Sequence, residues 1–466
     1  MDQDFHYYGA YYAARVGGKF SNEDATRIAR ASNFIDFMSN GNYAGYWDIV
    51  RENYTRVAEV TYPRYTFQGT FSVAAEGSGG LWASFHFPPG NYPDPEGTPS
   101  DRDVHGQMVA EMLPGHQVRD VCIDASLNID ANIAKLLNRP QSALSKALIQ
   151  DTLRCMKDPD RLEKIIACAK GGKELLAEKD KADVLQRFKL LLLGARSHVI
   201  ADTWAHQDWS AVNNKINTYW NIEKSLINDQ FYQQMEYQKV DGEWSRVHLS
   251  WTADENFQAA PNQTSYVGHG WMGHFPDYSF VKYRYKPCWR NYDAEPFERD
   301  NPTQYTHAFL ELCSLFSQAN GSEFAPHLVE KEMAAATKAI SSPCDITMAA
   351  LFPRVYSAEQ WKNEMTAVGI EAPSLLLDTK VENHTNDIMP GLLGHKPGDP
   401  LDISREGRYY VDYNSDLYLF HIAADYHFQF AKYWLNKHNI GTDLYADNWS
   451  QQEGPVSAAE IKTLFD

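Results

Sequence analysis

The segment KLLLLGARSHVIADTWAHQDW (residues 189–209) runs four leucines, Leu190–Leu193, into Ile200 and Trp204, and carries His198, Asp202 and His206 at i, i+4 and i+8. Such an apolar run marks a buried central helix rather than one lying on a surface. Four residues advance an α-helix by about 6 Å and rotate it by only about 40°, so the three polar side chains project to one side. The outer two backbones then stand about 12 Å apart, too far for all three side chains to converge easily on one zinc at about 2.0–2.1 Å. A carboxylate in the middle can instead bridge two ions, with one histidine serving each. A helix that merely places two histidines and an aspartate in water is the bland alternative. Trp204 and Trp209, flanking the motif, argue for burial, and buried carboxylates and imidazoles need partners.

Matching pieces lie elsewhere in the chain. Asp4 and His6 open the first helix, and Asp36 closes an apolar one in NFIDF. His86 sits between two phenylalanines in SFHFPPGNYPDP. His269 and His274 stand in GHGWMGHFPD, where glycine lets the backbone fold tightly around a ligand. A helix cap is the rival reading for Asp36, and a satisfied half-buried histidine for His86. The tail repeats the spacing with His421, Asp425 and His427 in FHIAADYHF, but with no obvious companions and with aromatic neighbours that suggest packing.

Periodicity makes residues 4–50, 105–235 and 303–340 helical, 53–105 irregular or β-like, and 236–300 loops. The tail from about 345 mixes Pro/Gly loops with one strong helix, SDLYLFHIAADYHFQFAKYWLNK. The expected fold is therefore mainly α, with long loops and small β insertions. Residues 1–340 form the functional domain, and residues 341–466 form a helical extension packed on it. A net charge of −18 over 466 residues argues against a stable complex with nucleic acid. Six scattered cysteines without a CxxC pair give neither a zinc ribbon nor a readable disulfide framework. The start of the chain lacks a signal-peptide pattern and no stretch is long and apolar enough to span a membrane. The expected location is the cytoplasm, or outside the cell by a route without a cleaved signal.

FHYYGAYYAAR with ASNFIDF, then LGARSHVIADTWAHQDWS, then GHGWMGHFPD resemble, in motif order over roughly residues 1–330, the superfamily of zinc-dependent phospholipase C and the zinc single-strand nucleases. The resemblance implies a multi-helix domain holding two or three zinc ions. His198, Asp36 and His86 would hold one ion, with Asp202 bridging it to a second. His6 would serve the second, with Asp4 standing in for the terminal amine that processed members use. His206 with His274 or His269 would hold the third, and Asp208 is a replacement for the family's glutamate. The implied reaction is hydrolysis of a phosphodiester by a metal-activated hydroxide. Asp36 would orient or deprotonate the attacking water, and Trp209 and Trp271 would wall the substrate site. A phospholipid, with peripheral membrane contact, is the first expectation for the substrate. A single-strand nuclease or nucleotidase and a non-catalytic, metal-stabilised protein remain alternatives.

Overall fold

The computed structural model describes residues 1–38, 46–50, 56–61, 63–67, 79–105, 129–220, 236–239, 241–246, 267–342, 353–373, 392–393, 408–411 and 413–465. Its main helices are α1 (Ala10–Val16), α2 (Asn22–Phe34), α3 (Gly79–Phe85), α4 (Ala143–Lys157), α5 (Pro159–Ala167), α6 (Gly172–Glu178), α7 (Lys181–Ala205), α8 (Asn301–Ala319), α9 (Glu330–Ile340), α10 (Pro353–Ala367) and α11 (Asp416–Lys437). The fold is mainly helical, as the periodicity predicts.

The 189–209 segment forms most of α7. Its start is fixed by Asp180, whose carboxylate accepts the amides of Ala182 and Asp183, satisfying donors that have no partner inside the helix. Every residue from Leu190 to Ala205 is buried. Helices α2, α4, α8 and α11 enclose it. A side chain at Gly194 would collide with the Ile28 carbonyl, so the glycine sets how closely α2 approaches. That approach brings the C-terminal end of α2, and Asp36 just beyond it, over the polar face of α7.

Two small sheets flank the bundle. Strands β1 (Tyr46–Val50), β2 (Arg56–Thr61), β7 (Leu392–Leu393) and β8 (Arg408–Val411) lie in the order β2-β1-β8-β7. Strands β3 (Glu236–Gln238), β4 (Trp244–Arg246), β5 (Lys282–Tyr285) and β6 (Phe297–Asp300) lie in the order β4-β3-β5-β6. The structure corrects three expectations here. Residues 46–50 are a strand and not the end of a helical region; YWDIV is rich in β-formers and pairs in parallel with β8 across more than 350 residues of sequence. Residues 236–300 hold a sheet as well as loops, because short strands with long connections carry little periodicity. Residues 206–220, expected as helix, are turns and one short 3₁₀ segment.

The tail is part of the main core. Besides α11 it contributes α10, which packs on α9 and on the turn at Asp4–Gly9. One hydrophobic cluster runs from Met1 to Ile461 and joins residues on both sides of position 340. Among the described residues, no helix is long and apolar enough to cross a membrane.

Candidate metal centre

Five separate segments deliver polar side chains to the exposed-ligand face of α7. A wide π-type turn at Asp4–Gly9 carries His6; such turns recur at functional sites because they re-aim one side chain. The end of α2 supplies Asp36, and the turn after α3 supplies His86, its amide bonded to the Trp82 carbonyl at 3.0 Å. The segment 63–67 is tied to the end of α2 by Thr66, whose amide reaches the Met38 carbonyl at 3.0 Å and whose hydroxyl reaches Ile35 at 2.6 Å. The loop 267–278 brings His269 and Asp277. It is pinned to α8 by the Asn301 amide, which donates to the Phe275 and Tyr278 carbonyls at 2.8 Å each.

The side chains form two adjoining groups around Asp202. One Asp202 oxygen lies 3.1 Å from His198 Nε2 and 3.2 Å from His86 Nδ1. Its other oxygen lies 3.1 Å from His6 Nε2. Asp36 faces the same three rings at 3.7–3.9 Å. On the far side, His206 Nε2 and His269 Nε2 lie 3.0 and 3.4 Å from one Asp277 oxygen. The Met1 nitrogen sits between the groups, donating to Asp202 at 2.7 Å and standing 3.1 Å from His206 Nε2. Three ligand sets result: His6, Asp36 and His198; His86, His198 and Asp202; His206, His269 and Asp277. Within each, the ligand atoms lie within 4.8 Å of one another.

The orientation of the rings decides what these sets can hold. His198 Nδ1 reaches the Ser32 carbonyl at 2.9 Å, and His86 Nε2 the Thr66 carbonyl at 2.9 Å. His206 Nδ1 reaches the His86 carbonyl at 2.9 Å, and His269 Nδ1 the Gly273 carbonyl at 2.7 Å. A carbonyl oxygen only accepts, so in all four rings the outer nitrogen carries the proton. The inner nitrogen of each neutral ring then presents a lone pair to carboxylate oxygens. Burial lowers His6 well below the ordinary histidine range, with His198 adding to the effect, and burial brings His206 down to about 4. Near neutral pH these two are therefore uncharged as well. His86 Nδ1 even faces His198 Nε2 at 3.4 Å. Lone pairs opposed to carboxylates repel unless a cation lies between them. Backbone carbonyls that fix the tautomer of a ligating histidine are the usual outer support of a metal, so the donor set fits bound cations.

The structure brings together His6, Asp36, His86, His198, Asp202, His206 and His269. Four expectations are corrected. Asp4 is buried away from the three sets, and its carboxylate accepts from the Ser279 hydroxyl at 3.3 Å. His274 is 58% exposed at its side chain and points its Nδ1 at the outer Asp277 oxygen, 3.3 Å away; it backs the group from outside. Asp208 is held between Arg139 and Arg299 at 2.7 and 2.8 Å, so its charge is already matched. Trp209 forms no wall of the site: it is 1% exposed and stacks on Tyr285, with ring centroids 5.5 Å apart. The Trp271 side chain lies outside the described residues. Asp277, which sequence reasoning missed, stands in the same GHGWMGHFPD motif; the search there stopped at the histidines.

Arg299 explains how His206 is aimed. His206 caps the C-terminal end of α7, where the last carbonyls lack amide partners. The Arg299 guanidinium donates to three of them, those of Trp204, Ala205 and Gln207, at 3.3, 3.1 and 2.8 Å. A cation there also suits the helix dipole.

Over residues 1–435 the chain matches the sequence model of a family described as a family of unknown function (DUF6765). The chain belongs to this family. Neither the curated proteins nor the solved structures compared with it include a match.

Proposed function

We propose that this member of the family is a zinc-dependent phosphodiester hydrolase acting on a phospholipid or related phosphodiester. The reading rests chiefly on one observation, the inward lone pairs of four carbonyl-anchored histidines converging on Asp202 and Asp277. Imidazole nitrogen and carboxylate oxygen without thiolate suit zinc among the common ions, and the adjoining sets suit two or three ions. Metal bound there would supply Lewis acidity and a water activated at neutral pH. The protein's own contribution is placement. Asp202 ties the sets together, and the carbonyls of Ser32, Thr66, His86 and Gly273 hold the rings in one tautomer. Asp36 is the one carboxylate of the inner set with its side chain substantially exposed, at 27%. It therefore stands where an attacking water enters and is the candidate to orient that water or take its proton. Cations in the cleft would also let a chain of charge −18 accept an anionic substrate.

The test is elemental analysis of the purified protein together with assays on phosphatidylcholine and on single-stranded DNA. More than one zinc per chain, with chelator-sensitive release of the phosphorylated headgroup, supports the lipid reading. Cleavage of DNA alone transfers the same metal chemistry to a nucleic acid. Zinc with neither activity, and a melting temperature that falls on chelation, leaves a structural metal cluster. A metal-free, well-folded protein overturns the proposal.

A further inference from the structure

Behind the metal centre, the C-terminal half of α11, the 168–170 turn and residues 450–465 enclose a recess lined by Arg64, Lys170, Lys432, Lys437 and Lys462. Glu453 is the single acid among its described lining residues. Arg64 is matched by Asp425, Nε to Oδ1 at 2.8 Å, which leaves four lysines against one carboxylate. On a chain with 61 acidic and 43 basic side chains, a random recess would carry more acids than bases. This one inverts the balance.

A ring of fully solvated lysines would need no further account, since ammonium groups on flexible stems remain in water at little cost. Lys432 does not fit that account. Burial, with Arg64 adding to it, holds its ammonium below the ordinary lysine value. Its Nζ has a carbonyl contact with Ser450 at 3.4 Å and lies 5.8 Å from the centre of the Tyr445 ring. A charge partly withdrawn from water with a like charge for a neighbour is stabilised by an anion from outside.

The lining also has an apolar side. Phe428 carries the Arg64 guanidinium 4.2 Å above its ring. Tyr433 and Phe465, both lining residues, pack with ring centroids 5.3 Å apart. Lysine ammoniums act as point charges toward phosphate, and the aromatic side provides contact for a carbon skeleton attached to it.

We propose that this recess is a second binding site, separate from the metal centre, for the phosphate group of a small phosphorylated molecule or a lipid headgroup. It does not depend on the metal reading, because none of its lining residues belongs to the three ligand sets. One physical link joins the two places. Arg64 lines the recess, while the carbonyl of Thr66, two residues on, holds the His86 ring.

Calorimetric titration of the metal-loaded full chain with inorganic phosphate tests this in three proteins: wild type, Lys432→Glu/Lys462→Glu and Asp202→Asn. Phosphate held at the metal centre is lost in Asp202→Asn, whereas phosphate held in the recess is retained there. In the lysine variant the recess affinity falls by at least about tenfold, as expected when two charge-assisted contacts are reversed. Co-sedimentation with phosphatidylcholine vesicles, with and without phosphatidic acid, separates the sources. Lysine-dependent binding only to the phosphatidic acid vesicles assigns a headgroup, and lysine-dependent binding of free phosphate assigns a soluble ligand. Binding of either probe that the lysine changes leave unaltered, or no binding of either by wild type, overturns the site. Lys432→Gln/Lys462→Gln, checked for an unchanged melting temperature, provides the same comparison if charge reversal disturbs folding. Absence of phosphodiesterase activity would leave this outcome untouched.

Discussion

Helices α7 and α11 pack against each other, and each carries a histidine four residues before a buried aspartate: His198 and Asp202 on one, His421 and Asp425 on the other. The sequence spacing is the same, yet the surroundings are opposite. Asp202 faces the inner nitrogens of His6, His86 and His198. Asp425 faces the guanidinium of Arg64 at 2.8 Å and the amide of Val456 at 2.8 Å. His427, the third member of the α11 motif, donates to or is held by nothing in the ligand sets; its Nε2 meets the Ser84 carbonyl at 2.7 Å. A third buried carboxylate, Glu311 of α8, has no lysine or arginine partner; it accepts from the Trp204 indole at 2.5 Å and has His105 Nε2 at 3.1 Å. Burial pushes its carboxyl up to about 7. Three buried acids around one helix thus find three forms of compensation: a site shaped for metal, an arginine, and a proton. The lesson is that spacing offers a ligand, and the group across the interface decides what it becomes.

The comparison breaks most visibly at Asp202. Asp202→Asn should lose bound metal and lower turnover by at least about a hundredfold, beyond the usual effect of losing an outer partner of a ligand. Unchanged metal content in that variant would refute its place at the junction of the sets. Arg64→Met should leave Asp425 buried and unpaired, at a cost of about 3–5 kcal/mol in denaturant unfolding. The same variant should keep its full complement of metal, and a loss of metal comparable to that of Asp202→Asn would erase the distinction between the helices.

Glu311 sharpens the comparison through pH. Its folded value, about 7, lies above the ordinary 4.5, so the native state holds its proton longer than the unfolded chain. The stabilising contribution is present in full below pH 4.5 and is lost as pH rises through 7, a change of about 3 kcal/mol. Glu311→Gln should remove that part of the pH dependence between pH 5 and 8. An identical slope in wild type and variant would count against the proton as its partner. The smallest effect is expected from Arg299→Lys, which loses the forked contact with the α7 carbonyls. It should weaken one metal equivalent by about 10–100-fold, as for other supports of a ligating histidine. Competition with a fluorescent chelator would measure this, and unaltered affinity for every equivalent would remove Arg299 from the positioning of His206.

Much of this organisation was legible in the residues. The central helix and the shared face of His198, Asp202 and His206 follow from the α-helical period and an apolar run, both local properties. The mainly helical fold follows from the same period in α2, α8 and α11. His6, Asp36, His86 and His269 were named because histidine or aspartate in an apolar or glycine-rich setting is uncommon without a partner. The sequence could not choose between His269 and His274, which are five residues apart in one loop. Nor could it expose Asp277 as a ligand, Asp208 as an arginine partner, or Trp209 as core. Each of these depends on which surface the loop 267–278 meets, and that is fixed by Asn301, by Arg299 and by the packing of Tyr285, all distant in sequence from α7. Helical periodicity is written within a few residues and survives being read alone. The fate of a buried charge is set by what the fold places within about 3–4 Å of it, and only the tertiary structure decided that.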